Sequence, residues 1–195
     1  LLDTPGHVDF SAETERTLSV LDCAVLVVSG TDGVQAHTET LWALLRRYNV
    51  PCFVFVTKMD LANADRAAIM SNLTARLGEL CADFTLPPAE RDEAVALTGE
   101  RAMDIYARTG AFSDADIAAL VAARELVPCF FGSGLKLDGV EALLDALTRY
   151  IPPREWGGGF SAQVYKIARD AQGKRMTFMK LTGGEISVRS TIIYN

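Results

Sequence analysis

Short, almost wholly apolar runs alternate with amphipathic stretches along most of this 195-residue chain. Three such runs, Cys23–Ser29, Pro51–Thr57 and Leu126–Gly132, show no regular alternation of polar and apolar residues. Runs of this length and composition are typical of strands that helices cover on both faces, as in parallel sheets. They therefore predict a mainly parallel sheet.

Amphipathic segments between and after these runs supply the expected crossover helices. Apolar residues recur three and four positions apart in Thr38–Tyr48, Ala67–Leu80 and Val140–Tyr150. The segment from about residue 83 to 124 lacks a strand pattern and is rich in Ala, Glu, Asp and Arg, which predicts a helical insertion on the outside. Ser113, followed by Asp114 and Asp116, is a predicted helix N-cap there. The whole pattern predicts an α/β fold built from βαβ units.

Charge and linker residues predict a domain boundary near residue 153. The chain has a formal net charge of −6, but from Arg154 onward seven Lys/Arg face three Asp/Glu, so residues 1–153 carry −10. Pro152 and Pro153 end a helical pattern, and the run Gly157–Gly159 follows. We therefore divide the sequence into residues 1–153 and 154–195.

The residues beyond the boundary predict antiparallel strands. Alternating segments occur at Phe160–Arg169, Arg175–Gly183 and Ser187–Tyr194. Turn residues at 171–173 and at 183–184 separate them. We interpret this segment as the first strands of an antiparallel β-barrel.

Composition narrows the class of protein. The longest apolar stretch is far below the length of a membrane span, and no basic segment precedes an apolar core at Leu1. The four cysteines are too scattered for a secreted disulfide scaffold. The acidic balance argues against a large basic face for nucleic acid. We therefore expect a cytoplasmic protein with no membrane or DNA partner, and a monomeric fragment.

Polar residues with recognisable chemistry follow the predicted strands, where open α/β sheets bind their ligands. The segment Asp3-Thr4-Pro5-Gly6-His7 follows Leu1-Leu2. A carboxylate at Asp3 can hold Mg²⁺ through water, and Gly6 lets its backbone N–H approach a phosphate. Taken alone, this motif equally fits an ordinary strand-to-turn exit.

Two further exits carry groups suited to a purine base. Thr57-Lys58-Met59-Asp60 places a carboxylate where it can accept both N–H groups of the guanine edge, while the Lys58 stem covers the ring. Adenine presents a different donor and acceptor pattern, so such a site rejects it. The turn Gly132-Ser133-Gly134-Leu135-Lys136 can offer a backbone N–H to the guanine carbonyl oxygen. Each segment alone also fits a solvated loop.

Together and in this order, the three segments resemble the guanine-nucleotide domain of the translational GTPases. Asp3–His7 matches the family's DTPGH motif, Thr57–Asp60 matches N/T-K-x-D, and Ser133–Leu135 stands where the family has S-A-[KL]. Gly134 replaces Ala and Thr57 replaces the commoner Asn, which in the family ties this loop to the phosphate loop. The chain has no G-x-x-x-x-G-K-[ST] phosphate loop, so we expect a fragment.

The resemblance implies the C-terminal part of a P-loop-NTPase-type G domain that binds GTP/GDP and Mg²⁺. It implies that Asp3, Thr4, Pro5, Gly6 and His7 bind GTP, that Asp3 also holds Mg²⁺ through water, and that His7 is catalytic. It also implies that the base pocket consists of Thr57, Lys58, Asp60, Ser133, Gly134 and Leu135. The full-length protein would hydrolyse GTP on the ribosome, contacting rRNA and ribosomal proteins, whereas the isolated fragment would be inactive.

Three function classes remain open at this point. One is a ribosome-dependent GTPase, either a tetracycline-resistance ribosomal protection protein or an elongation factor G-like translocase. Another is a fragment that only docks a partner, and the third is an α/β domain that has lost nucleotide binding. Leu61–Phe131 shows only helical and loop signals before its terminal strand, with no sign of the large subdomain usual in elongation factor G. This favours the protection type.

Overall fold

The computed structural model describes Leu2 and residues 16–191. The chain forms two compact units, one made of Leu1–Leu21 with Pro153–Asn195 and the other of Asp22–Pro152. The larger unit contains a four-stranded sheet, and the smaller contains a two-stranded sheet.

The sheet of the larger unit is parallel throughout. Its strands are β1 (Ala24–Ser29), β2 (Cys52–Thr57), β3 (Cys81–Asp83) and β4 (Val127–Phe131), in the spatial order β1-β2-β4-β3. β1 pairs with β2, β2 with β4, and β3 with β4, each in parallel. The predicted α/β class with a mainly parallel sheet is confirmed, since every long apolar run became a strand of this sheet.

Helices connect and cover these strands. Within the described part of this unit they are α1 (Ala36–Arg47), α2 (Arg66–Leu77), α3 (Pro88–Ala96), α4 (Glu100–Thr109), α5 (Asp114–Ala122) and α6 (Val140–Tyr150). Asp65 caps α2 by accepting hydrogen bonds from the Ala67 and Ala68 backbone N–H groups. Ser113 caps α5 as predicted, in a reciprocal capping box with Asp116.

Strand β3 was not predicted from the sequence. It has only three residues, all buried, and ends on the charged Asp83. The Asp83 carboxylate is stabilised by Arg66, whose guanidinium lies 2.6 Å away, and by the backbone N–H and hydroxyl of Thr85. A three-residue strand that ends in a carboxylate is too short and too polar to form an apolar run in the sequence. Its buried carboxylate is tolerated because residues outside the strand satisfy it.

The helical insertion shares the core of the sheet. Val95, Ala102 and Leu120, from α3, α4 and α5 respectively, are buried in the same cluster as Phe53 and Phe130 of the sheet. Burial of this apolar surface stabilises the packing of the three helices, by roughly 25 cal/mol for each Å² of apolar surface removed from water. The insertion is therefore part of the folded unit.

The smaller unit contains an antiparallel hairpin of β5 (Ser161–Arg169) and β6 (Arg175–Gly183). Its turn is closed by Asp170, whose side chain accepts from the backbone N–H groups of Gln172 and Lys174. Gly173 adopts φ +80°, which favours glycine. Both strands and their turn match the sequence prediction.

The predicted third strand, Ser187–Tyr194, is wrong over its described residues. Residues 187–191 contain no strand. The backbone turns there instead, because Ser190 donates its N–H to the Ser187 carbonyl and Arg189 adopts φ 69°. Residues 192–194 lie outside the described residues.

Among the described residues, no helix combines the length and apolar character that a membrane crossing needs.

Candidate functional site

Two loops meet where β2 and β4 end. Val56 is paired with Phe131 in the sheet, so both strands leave it at the same level. The Gly132 N–H donates to the Val56 carbonyl at 2.9 Å, and the Met59 N–H donates to the Gly132 carbonyl at 3.0 Å. The Thr57–Asp60 segment and the turn that begins at Gly132 are therefore held side by side.

Thr57 connects the two loops through its side chain. Its Oγ1 accepts a hydrogen bond from the Gly134 N–H at 3.1 Å. The sequence predicts that a backbone N–H of this turn meets a guanine carbonyl oxygen, whereas the Gly134 N–H has a protein partner in Thr57. A Cβ added to Gly134 would lie 3.4 Å from Thr57 Oγ1, which is ordinary contact, so the family's alanine would fit at this position.

Asp60 faces the same turn. Its Oδ2 lies 3.1 Å from the Lys136 ammonium. Hydrogen bonds from Lys136 and from the Ser133 hydroxyl hold the pKa of the Asp60 carboxyl below its usual range. The carboxylate is therefore ionised at neutral pH and able to accept N–H donors.

The turn itself is closed by its own hydrogen bonds. Ser133 is 2% exposed, its N–H donates to the Asp138 carbonyl, and its Oγ accepts from the Lys136 N–H at 3.3 Å. A Cβ on Gly132 would clash with the Asp138 carbonyl oxygen, so only glycine fits this close approach of two chain segments. The turn therefore holds its backbone in one arrangement beside Asp60.

Lys58 lies between the exits of β1 and β2. It is exposed and adopts φ 63°, and the Gly30 N–H donates to the Thr57 carbonyl just before it. Hydrogen bonds from the Ser29 and Thr31 hydroxyls, together with the charge of Lys58, lower the pKa of Asp32. The backbone bond from Gly30 therefore joins the exits of β1 and β2 beside Lys58.

The structure brings together only part of the predicted site. Thr57, Lys58, Asp60, Ser133 and Gly134 lie at one edge of the sheet, and the Leu135 side chain on the same turn is 91% exposed. The other predicted residues, Asp3, Thr4, Pro5, Gly6 and His7, lie outside the described residues. The predicted magnesium ligand and catalytic histidine are among them.

The sequence places Lys136 in the turn after the third predicted strand but assigns it no role in this site. Its position directly after Ser133–Leu135 was the available signal, but a lone lysine in a glycine-containing turn has no distinctive spacing. Only the fold brings its ammonium to a carboxylate that lies after another strand.

The donor and acceptor set suits a guanine base. An ionised carboxylate can accept two adjacent N–H groups, which guanine presents and adenine does not. The turn around Gly134 presents exposed backbone beside that carboxylate.

When bound, Mg²⁺ would reduce the negative charge of the phosphates.

The fold and this strand-exit site together define an α/β nucleotide-binding domain of the G-domain type. Residues 1–153 match the family described as the elongation factor Tu GTP binding domain. Because this match covers most of the chain, the protein belongs to that family of translational GTPases.

A solved structure supports the fold beyond the matched residues. The chain is similar to a crystallised protein of Thermus thermophilus, with a TM-score of 0.75, 25% sequence identity and 94% of this chain covered. The same match covers 35% of the Thermus chain, so the present sequence spans about a third of that protein's length.

Proposed function

We propose that this protein forms part of a ribosome-dependent GTPase that binds GTP and hydrolyses it, and that this GTPase is of the tetracycline-resistance protection type. The observation that carries the guanine assignment is the ionised Asp60 carboxylate beside the Ser133–Lys136 turn. Asp60 accepts the two N–H groups of the base, Lys58 covers the ring, and Thr57 holds the second loop in place.

The hydrolytic part of the proposal rests on the sequence motif Asp3–His7. Asp3 would hold Mg²⁺ through water, and Thr4, Pro5 and Gly6 would bind the phosphates of GTP, whose charge the metal would reduce. His7 positions the attacking water when the ribosome is bound. Loss of the γ-phosphate then changes the conformation of the surrounding segments.

The segment between the two base-binding loops favours the protection type over a translocase. Between Asp60 and Gly132 the described chain has four helices, and its short strand β3 pairs within the main sheet. The described part of this segment therefore has no sheet of its own. An additional subdomain with its own strands, as expected for elongation factor G, does not fit this arrangement.

Translation in vitro tests the function. The full-length natural protein is added to one reaction that contains tetracycline and to a second from which elongation factor G is withheld, with the Asp60→Asn variant as the matched control. We expect rescue in the first reaction only, and loss of rescue with the variant. Sustained translocation in the second reaction, without rescue in the first, would overturn the protection assignment.

A separate measurement addresses the 195-residue chain alone. Its sequence contains no phosphate loop, and contacts to the triphosphate supply much of the affinity in such domains. We expect no measurable GTP binding by calorimetry. Micromolar affinity would contradict this expectation, whereas a partner captured without nucleotide would favour the docking-module alternative.

A further inference from the structure

Lys136 contacts an oxygen atom of Asp60, the residue proposed to bind the guanine base. Its ammonium lies 3.1 Å from Oδ2 of Asp60, and the two side chains form an ion pair. The Ser133 hydroxyl also donates to this carboxylate. With no base present, both a cation and a hydroxyl therefore satisfy the Asp60 carboxylate.

A guanine edge and the Lys136 ammonium compete for this carboxylate. The base presents two adjacent N–H donors, and a carboxylate receives such a pair with both of its oxygens. An ammonium held against Oδ2 brings a second donor to an oxygen that the base must use. In the proposed exchange, the ammonium and the guanine edge compete for the same lone pair of Oδ2.

The lysine is the group better placed to leave. Its side chain is 63% exposed, so its ammonium can be hydrated as soon as it turns away. An exposed pair of this kind contributes little to stability, because water and salt screen it and a flexible side chain is immobilised by it. Its backbone N–H stays bonded to Ser133 Oγ, so the turn can persist when the side chain moves.

We propose that Lys136 is a positioning residue that holds the Asp60 carboxylate in the base-free site and releases Oδ2 when a guanine nucleotide binds. The inference rests on the proposed function, since it requires Asp60 to read the base. The lysine holds the carboxylate directed toward the turn. When a guanine nucleotide binds, the N–H groups of the base therefore replace the Lys136 ammonium at Oδ2 of Asp60.

The test removes the charge and keeps the stem. Lys136→Met, Lys136→Gln and Lys136→Arg are made in the full-length natural protein, with Lys174→Met as a control at an exposed lysine in the β5–β6 turn. GDP and ADP affinities are measured at low and high salt. The carboxyl pKa of Asp60 is followed by NMR in the nucleotide-free 195-residue chain and its variants.

We expect Lys136→Met and Lys136→Gln to bind GDP about two- to fivefold more tightly than wild type at low salt, with the difference disappearing at high salt. The pKa of Asp60 should rise toward its ordinary value in both variants. Lys136→Arg restores a cation and should behave as wild type. Lys174→Met should change neither quantity.

The outcomes separate this inference from the function on which it rests. If wild type prefers GDP to ADP but the two neutral variants bind GDP equally or more weakly, the inference is wrong and the guanine assignment stands. An unchanged Asp60 pKa in both neutral variants would also overturn it. If wild type shows no preference for GDP over ADP, the proposed base site itself fails.

Discussion

The Gly134 backbone N–H donates to Oγ1 of Thr57 at 3.1 Å, between residues 77 positions apart in the chain. This bond joins the loop after β2 to the turn after β4. Together with the Met59-to-Gly132 backbone bond, it places Asp60 beside the Ser133–Lys136 turn. The geometry of the candidate base site therefore depends on a threonine where the family more often has asparagine.

Thr57→Val should weaken this connection. Valine has nearly the same shape but no hydroxyl, so the Gly134 N–H must turn to water. We expect a loss of about 0.5–1 kcal/mol in the free energy of unfolding, measured with urea on the 195-residue chain. Thr57→Ser keeps the acceptor and serves as the control. Equal stability of the valine and serine variants would show that the bond contributes nothing.

Gly132→Ala should be much more damaging than Gly134→Ala. A Cβ at 132 would clash with the Asp138 carbonyl oxygen, whereas a Cβ at 134 would make ordinary contact with Thr57 Oγ1. We expect a loss of about 1–3 kcal/mol or more for the first variant and little change for the second. Thermal unfolding of both variants measures this. Similar melting temperatures would contradict the close approach at Gly132.

Asp60→Asn should change which base the full-length protein prefers. Asparagine presents an N–H donor where the carboxylate accepted, which suits xanthine because its edge carries a carbonyl in place of the guanine amino group. We expect preference for XTP over GTP in competition binding. A variant that retains the parental preference would exclude Asp60 as the base reader.

His7→Ala should separate turnover from binding. His7 lies outside the described residues, so this prediction rests on the motif alone. Loss of a group that positions water should lower ribosome-stimulated GTP turnover by roughly 10²-fold and leave nucleotide affinity nearly unchanged. Rapid-quench turnover and equilibrium binding on the full-length protein measure the two effects. Equal losses in both would assign His7 a structural role.

Ser113→Ala should destabilise the helical insertion. Ser113 accepts from the Asp116 N–H, and Asp116 in return accepts from the Ser113 N–H at 3.0 Å. We expect a loss of about 1 kcal/mol, which should lower overall stability because α5 buries Ile117 and Leu120 in the common core. Ser71→Ala, at an exposed position inside α2, is the control. Chemical unfolding that gives the same midpoint for both variants would contradict the capping role.

Local patterns in the sequence were enough to predict several elements of the fold. Apolar runs and helical periodicity predicted β1, β2, β4 and α6 to within a residue or two, and Ser113 as a cap. Their positions directly after strands also predicted that Thr57–Asp60 and Ser133–Leu135 lie at one edge of the sheet, because parallel strands end at the same edge. These signals are readable because each is contained in a few neighbouring residues.

The tertiary structure alone decided the contacts between distant segments. β3 exists because Cys81 pairs with Val127 and because Arg66 stabilises the buried Asp83, neither of which leaves a local pattern. The ion pair between Lys136 and Asp60 likewise requires two loops to meet. From the sequence alone, a lysine in a turn is expected to be solvated. The fold places the Asp60 carboxylate 3.1 Å from the Lys136 ammonium. This contact depends on packing between distant segments and not on the neighbouring residues.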